Sequence, residues 1–312
     1  MVHRLLRAAI AAVLVVTCAP DLRARPQRPS MPGYPAPGGE SIVTVLEPGT
    51  APRTPLRYQL RPRQQETMDV TMHMGMTMNI GEMSVPVELP PFTISARAEV
   101  TDIASSGDIS YAIAFTKLAV GAGGNEAVTA ALKQSEASMT SVKGTGVVSN
   151  RGVPRSMKMD TSGITDPTMK QTFDQMASSF QNMSMPMPEE AVGVGARWEV
   201  RNAMESGGIS IFQKTEYQVV SIDGPVLTLK AKIEQTAPPQ PISLPTMPPG
   251  ADATLSKMTG TGSGTVSLRL DAFTPTSSME SATSMSMDVS MNGQTQSVTT
   301  EMKLKVAISR AK

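Results

Sequence analysis

Methionine is the residue type with the most chemistry to offer in this chain. It occupies 24 of 312 positions, against one Cys and two His. The densest run is Met72-His73-Met74-Gly75-Met76-Thr77-Met78, and Met183-Ser184-Met185-Pro186-Met187 comes next. Soft thioethers select Cu(I), and Met-x-Met spacing brings two sulfurs to one side of an extended strand. The same side chain is also a flexible, polarizable filler of irregular apolar space and of adaptable binding walls. In a regular strand His73 points away from Met72 and Met74, so imidazole and sulfurs share no ion without a bulge. Met also stands where Val, Ile or Leu would stand in the amphipathic segments that carry it, as in Met68–Ile80 and Met285–Met291. The pattern favours a Met-lined core or cavity, with no resident metal or cofactor expected and copper as the alternative.

Other chemistry has little to build on. His3 falls in the N-terminal segment, which leaves His73 as the one imidazole elsewhere. A Ser-His-Asp site would have only that base, and a His-rich zinc site cannot be assembled. A single Cys rules out a disulfide framework. Glu189 and Glu190 are adjacent, so their carboxylates diverge in an extended chain. The aspartates at 102, 108, 160, 166, 223 and 271 fall mostly at turns and caps, where Asp bonds its own backbone. Gly144-Thr145-Gly146 and Gly262-Ser263-Gly264 form a weak internal repeat. Neither copy is followed by a helix or by a suitably placed Lys, so neither is a phosphate loop. A net charge of +1 gives no electrostatic footprint for nucleic acid. No catalytic residue is assigned, and the chain reads as a non-enzyme.

The N-terminus indicates export. Arg4 and Arg7 precede an uncharged apolar run, Ala8 to Thr17, which is too short for a spanning helix and suits a signal-peptide core. Val15-Val16-Thr17-Cys18 resembles a bacterial lipobox, in which Cys18 would be lipidated. Cleavage by an ordinary signal peptidase, for instance after Ala24, is the other route. Residues 19–56 hold nine prolines and read as an extended linker, with one short strand near Ser41–Leu46.

From Arg57 the dominant period is two. Met68 to Ile80 alternate with polar residues, as do Phe92–Val100, Ile109–Phe115, Leu227–Ile233, Met285–Met291 and Met302–Ile308. Each such strand has one apolar and one polar face, the signature of an antiparallel sheet. Asn292-Gly293 and Asp223-Gly224 are hairpin turns, and Ser106-Gly107-Asp108 and Asn150-Arg151-Gly152 look like two more. Met68 to Ile80 would extend about 43 Å, longer than a usual strand, with Gly75 as a natural bend point. Two helices are expected. One covers Asn125–Ser138. The other follows Asp166 and Pro167, with Met169, Phe173, Met176, Phe180 and Met183 forming an apolar stripe. The fold class is mainly β (α+β): a long curved antiparallel sheet or half-barrel at 57–309, with one or two covering helices.

This combination of export signal, lipobox, curved sheet and striped helices resembles the lipoprotein-carrier half-barrels of the LolA/LolB type, over roughly residues 57–309. It also looks like uncharacterised secreted bacterial β-repeat proteins with a Val-Gly-x-x-Trp segment, here Val194 to Trp198, in which Trp198 would open a strand and anchor the core. The half-barrel resemblance implies an apolar cavity for a lipid or lipid-linked cargo. Met72, Met74, Met76, Met169, Phe173, Met176, Phe180 and Met287 are then its expected lining. The expected partners are a hydrophobic small molecule or lipid, with membrane contact only through the anchor and no nucleic acid. A structural module with a filled core is the alternative reading.

Overall fold

The computed structural model describes residues 29–160, 185–206, 208–242, 251–291 and 294–311. Cys18, the helix expected after Asp166 with its residues Met169, Phe173, Met176 and Phe180, and the Asn292-Gly293 turn all lie outside these residues.

The chain forms one antiparallel sheet of fourteen strands. In chain order these are β1 (Ile42–Glu47), β2 (Gln65–Ile80), β3 (Met83–Glu88), β4 (Phe92–Ile103), β5 (Ile109–Val120), β6 (Lys143–Val148), β7 (Pro154–Asp160), β8 (Arg197–Ser206), β9 (Ile209–Asp223), β10 (Val226–Ala237), β11 (Gln240–Ile242), β12 (Ala251–Arg269), β13 (Thr276–Met291) and β14 (Gln294–Arg310). The spatial order is β1-β8-β9-β10-β12-β13-β14-β2-β4-β5-β6-β7, with β11 beside β12 and β3 beside β2. Helix α1 (Glu126–Ser141) joins β5 to β6 and packs against β5. Asn125 Oδ1 caps it by accepting the Val128 N–H at 3.4 Å.

The period-two segments all become strands, because each can turn its apolar set to one side. β2 is 16 residues long and runs unbroken through Gly75, where a bend was expected. The break falls on its neighbours instead. Leu89-Pro90-Pro91 separates β3 from β4, and the Leu89 N–H bonds the Met74 carbonyl at 3.2 Å. Two consecutive prolines remove ladder donors, so the partner strand must change at this point. Asp223 pairs with Val226, which places the β9–β10 loop at Gly224-Pro225, with Gly224 at φ +59. Trp198 is the second residue of β8.

The stretch expected as a linker differs most. From Met31 onward it lies against the sheet. Val43 and Val45 of β1 pair with Val200 and Trp198 of β8, the Tyr34 ring meets Phe212 at 5.4 Å, and Leu56 is fully buried. Proline leaves this segment few donors to satisfy. Those that remain find partners: Gly38 N–H on Ala203 O, and Thr54 and Val192 bonding each other.

The main core joins Trp198, Tyr217, Leu227, Leu229 and Leu268 from the sheet with Leu56, Met187 and Val192 from connecting segments. Smaller clusters lie on β4–β7, at the far ends of β9–β12, and around Leu60, Val100 and Ile109. The repeated Gly-x-Gly segments are mid-strand and take bulky neighbours. A Cβ at Gly146 would strike the Tyr111 ring, and one at Gly264 would strike the Ser278 carbonyl and Met279 Sδ.

Candidate functional site

Strand register places every candidate residue on a lattice. One row across the sheet reads Met72, Val306, Met279, Gly264, Ala231, Tyr217, Trp198 and Val45. The next reads Met74, Leu304, Ser281, Gly262, Ile233, Thr215 and Val200, and the third reads Met76, Met302, Thr283, Gly260, Gln235, Gln213 and Asn202. Successive rows are two residues apart, so all three belong to one face. Met78 aligns with Thr300 and Met285, and Ile80 aligns with Val298 and Met287.

Met72, Met74, Met76 and Met287 therefore share a face, but they do not form one cluster. Met287 is four rows from Met72, about 26 Å along the strands at ~3.3 Å per residue. It packs at the edge of the cluster containing Leu255 and Met258. Met72, Met74, Met76 and Met78 are half-buried. Among the described residues they belong to none of the four core clusters. Nearest the β3 edge, Met83 is 43% exposed.

Sequence periodicity missed a polar belt crossing this apolar face. Asn202, Thr215 and Thr283 are buried. The Gln235 amide donates to Gln213 Oε1 at 2.7 Å, and the Gln213 amide donates to Thr215 Oγ1 at 3.2 Å. Asn202 Oδ1 has no hydrogen-bond partner among the described residues. The available signal was parity: Gln213 and Gln235 sit at positions where their strands otherwise place Ile, Leu or Tyr.

The opposite face is polar. His73, expected to point away from Met72 and Met74, does so. It is exposed and stands opposite Lys305, in a row that continues through Glu280, Ser263, Lys232 and Glu216. This face holds an open trough of about 1370 Å³ spanning β9, β10, β12, β13, β14 and β2. Its wall beyond β2 is built from Leu89, Pro91 and Ala122–Gly124. A smaller recess of about 410 Å³ lies over β4–β7, between Arg97, Lys143, Lys158 and Asp160. Ion pairs cross the polar face. Arg197 bonds Glu216 and Lys305 bonds Glu280, each at 2.7 Å, and Lys214 bonds Glu234 at 2.6 Å. The lysine beside each of Glu280 and Glu234 holds its carboxyl below the ordinary range. Glu189, one half of the adjacent carboxylate pair, lies 3.3 Å from the Arg151 guanidinium and is largely solvated.

Among the described residues no group of three His, Cys, Asp or Glu could hold a metal ion. No described helix is long and apolar enough to cross a membrane. Burial pushes the Tyr58 and Tyr217 phenols well above their ordinary range, which suits core packing rather than acid–base chemistry.

Residues 140–273, from the end of α1 to the β12–β13 turn, match the sequence profile described as "Family of unknown function (DUF6263)". No curated protein matches the chain. Among solved structures, the chain is similar to an engineered protein titled "Asymmetric conductivity of engineered proteins", with 10% identity and a TM-score of 0.17. It is also similar to two porin mutants of Rh. blastica, with 10% and 8% identity and TM-scores of 0.18 and 0.17. Each alignment covers 78% of this chain and 100% of the other. Likeness at these TM-scores carries no argument about fold or function.

Proposed function

We propose that this is an exported, non-catalytic protein of the cell envelope that binds an apolar ligand, an acyl chain or lipid-linked cargo, on its Met-rich face. The carrying observation is the half-buried row Met72–Met78 with Met302 beside it, outside the core clusters of the described residues. A flexible thioether wall adapts to chains of varied shape. The finer architecture belongs to the same reading: the sheet curls as a half-barrel. The curl is supported by Arg155 of β7 meeting Glu40, just before β1, at 2.9 Å, since these strands end the sheet order.

Export predicts a mature protein lacking the first 17 to 24 residues. Intact-mass measurement on protein from the native host checks this, and a diacylglyceryl addition on Cys18 identifies the lipoprotein route. A full-length chain in the cytoplasm overturns it.

Register also favours Cu(I) as a second reading, because Met76 stands directly opposite Met302 and two thioethers there can share an ion. One pair of variants separates the readings. Met76→Gln/Met302→Gln places amides on the apolar face and weakens binding of a fluorescent long-chain fatty acid by about tenfold. Met76→Leu/Met302→Leu keeps the face apolar and leaves that binding within about twofold. The expected result with a Cu(I) chelator is no stoichiometric competition by the parent. A one-to-one site lost in the Leu pair moves the function to copper. Failure of the parent to bind the fatty acid rejects the carrier reading.

A further inference from the structure

The trough on the polar face carries more cation than acid. Lys230 and Lys232 line it from β10, Lys303 and Lys305 from β14, and Thr261, Ser263 and Thr265 of β12 form the floor between them. Three carboxylates line it as well: Glu216, Glu280 and Glu88. Glu216 is held by Arg197 and Glu280 by Lys305. Glu234, next along β10, is taken by Lys214 at 2.6 Å, with Lys232 farther off at 3.7 Å. Register explains why two lysines are left over. The cross-strand neighbours of Lys303 are Gly75 and Ala282, and those of Lys230 are Thr265 and Gln218. None of the four is acidic. Among the described residues neither lysine forms an ion pair.

We infer that this trough binds an anionic polysaccharide laid across the strands from β10 to β14, its carboxylates meeting the lysines of these two strands and its hydroxyls meeting the threonine and serine floor between them. The spacing fits a chain rather than a small anion. Lys230 and Lys303 are three interstrand steps apart, about 14 Å at ~4.8 Å per step. The lysines on each strand and the floor hydroxyls recur every second residue, about 6.7 Å apart. A single phosphate cannot reach both lysine rows. A nucleic acid fits less well, because none of the lining residues is Phe, Tyr or Trp and base stacking is strongest on such a platform. The inference concerns the face opposite the methionines and does not depend on lipid binding.

The test uses the whole mature protein and polygalacturonate, a linear polyuronate, with neutral dextran as comparator, by affinity electrophoresis and calorimetry. The parent is expected to bind polygalacturonate and not dextran, more weakly as salt rises. Lys230→Gln/Lys303→Gln should bind about tenfold more weakly, the effect of two exposed charge contacts. Lys117→Gln/Lys133→Gln removes the same charge from exposed positions outside the trough and should leave binding unchanged. Circular dichroism melts of both doubles confirm that each is folded. No binding by the parent, equal binding of dextran, or an equal loss in both doubles overturns the assignment.

Discussion

Trp198→Ala is expected to destabilise the protein by about 4 kcal/mol, the upper part of the range for large-to-small changes in a core. The side chain is fully buried and its ring stacks on Tyr217 at 5.4 Å. Its indole N–H donates to the Pro186 carbonyl at 3.1 Å. Truncation leaves a cavity among Leu56, Met187, Val192 and Val200. It also leaves a carbonyl without its donor, which adds the cost of an unmet buried acceptor. The effect reaches beyond β8, because this contact ties the 185–192 segment directly to the sheet, beside the bonds it makes to Thr54, Arg57 and Arg151. Since Trp198 is the single Trp of the chain, unfolding is followed by far-UV circular dichroism in urea. The midpoint should fall with the slope unchanged, and Tm should drop by about 10 °C. Trp198→Phe should lose about half as much. A loss below ~1 kcal/mol for the Ala variant would show that the segment is held by something other than this ring.

Glu66→Ala is expected to cost about 3 kcal/mol through hydrogen bonding rather than packing. Glu66 Oε1 accepts the Phe273 N–H at 2.8 Å, and Oε2 accepts the Thr274 N–H at 2.9 Å. The Gln64 amide also donates to Oε1 at 2.8 Å. These bonds pin the β12–β13 turn to the start of β2, with Phe273 against Tyr111 at 4.9 Å. Arg310, at the end of β14, reaches the same place and donates to the Thr274 carbonyl at 3.4 Å. The Thr274 hydroxyl is itself buried without a partner among the described residues, so the turn depends on Glu66 for its polar satisfaction. Bonds to a charged acceptor are each worth about 1.5–3 kcal/mol, and orphaned buried N–H groups carry their own desolvation cost. Glu66→Gln keeps one acceptor oxygen and should lose about half as much. Amide hydrogen exchange at Phe273 and Thr274 should speed up in the Ala variant before global unfolding. Unchanged exchange there would show that the carboxylate does not hold the turn.

The two faces of the sheet connect stability to the proposed activities. The apolar rows are buried where connecting segments cover them, around Trp198 at one end of each row. At the other end they run out to Met72, Met74 and Met76, which are half-buried. The polar rows on the reverse side neutralise most of their charge by cross-strand pairing. They leave out Lys230 and Lys303, whose immediate cross-strand neighbours are not acidic.

Much of this architecture is a consequence of local pattern. Alternation at period two requires strands with one apolar face, and β2, β4, β5, β10, β13 and β14 all follow from it. Asn125 as a cap and Gly224 at positive φ are equally local. The same parity argument puts His73 on the face away from Met72 and Met74. What alternation cannot supply is the partner of each strand. It is silent on Met76 standing opposite Met302, on Lys303 facing Gly75 and Ala282, and on Gln213, Gln235 and Asn202 forming one belt. Those depend on pairings between residues as much as 228 positions apart, as with Gly75 and Lys303, and register is a property of two strands together. The proline-rich stretch 31–56 shows the same division. Its composition speaks for an extended backbone, which it has in β1, while turns closed by Met31–Tyr34 and Ala36–Gly39 bonds interrupt the rest. Only the tertiary structure provides β8 and β9 as the surface against which Leu56 is buried and Val43, Val45 and Tyr34 are half-buried, because a proline-rich chain with few donors packs wherever an apolar face and a handful of acceptors are presented to it.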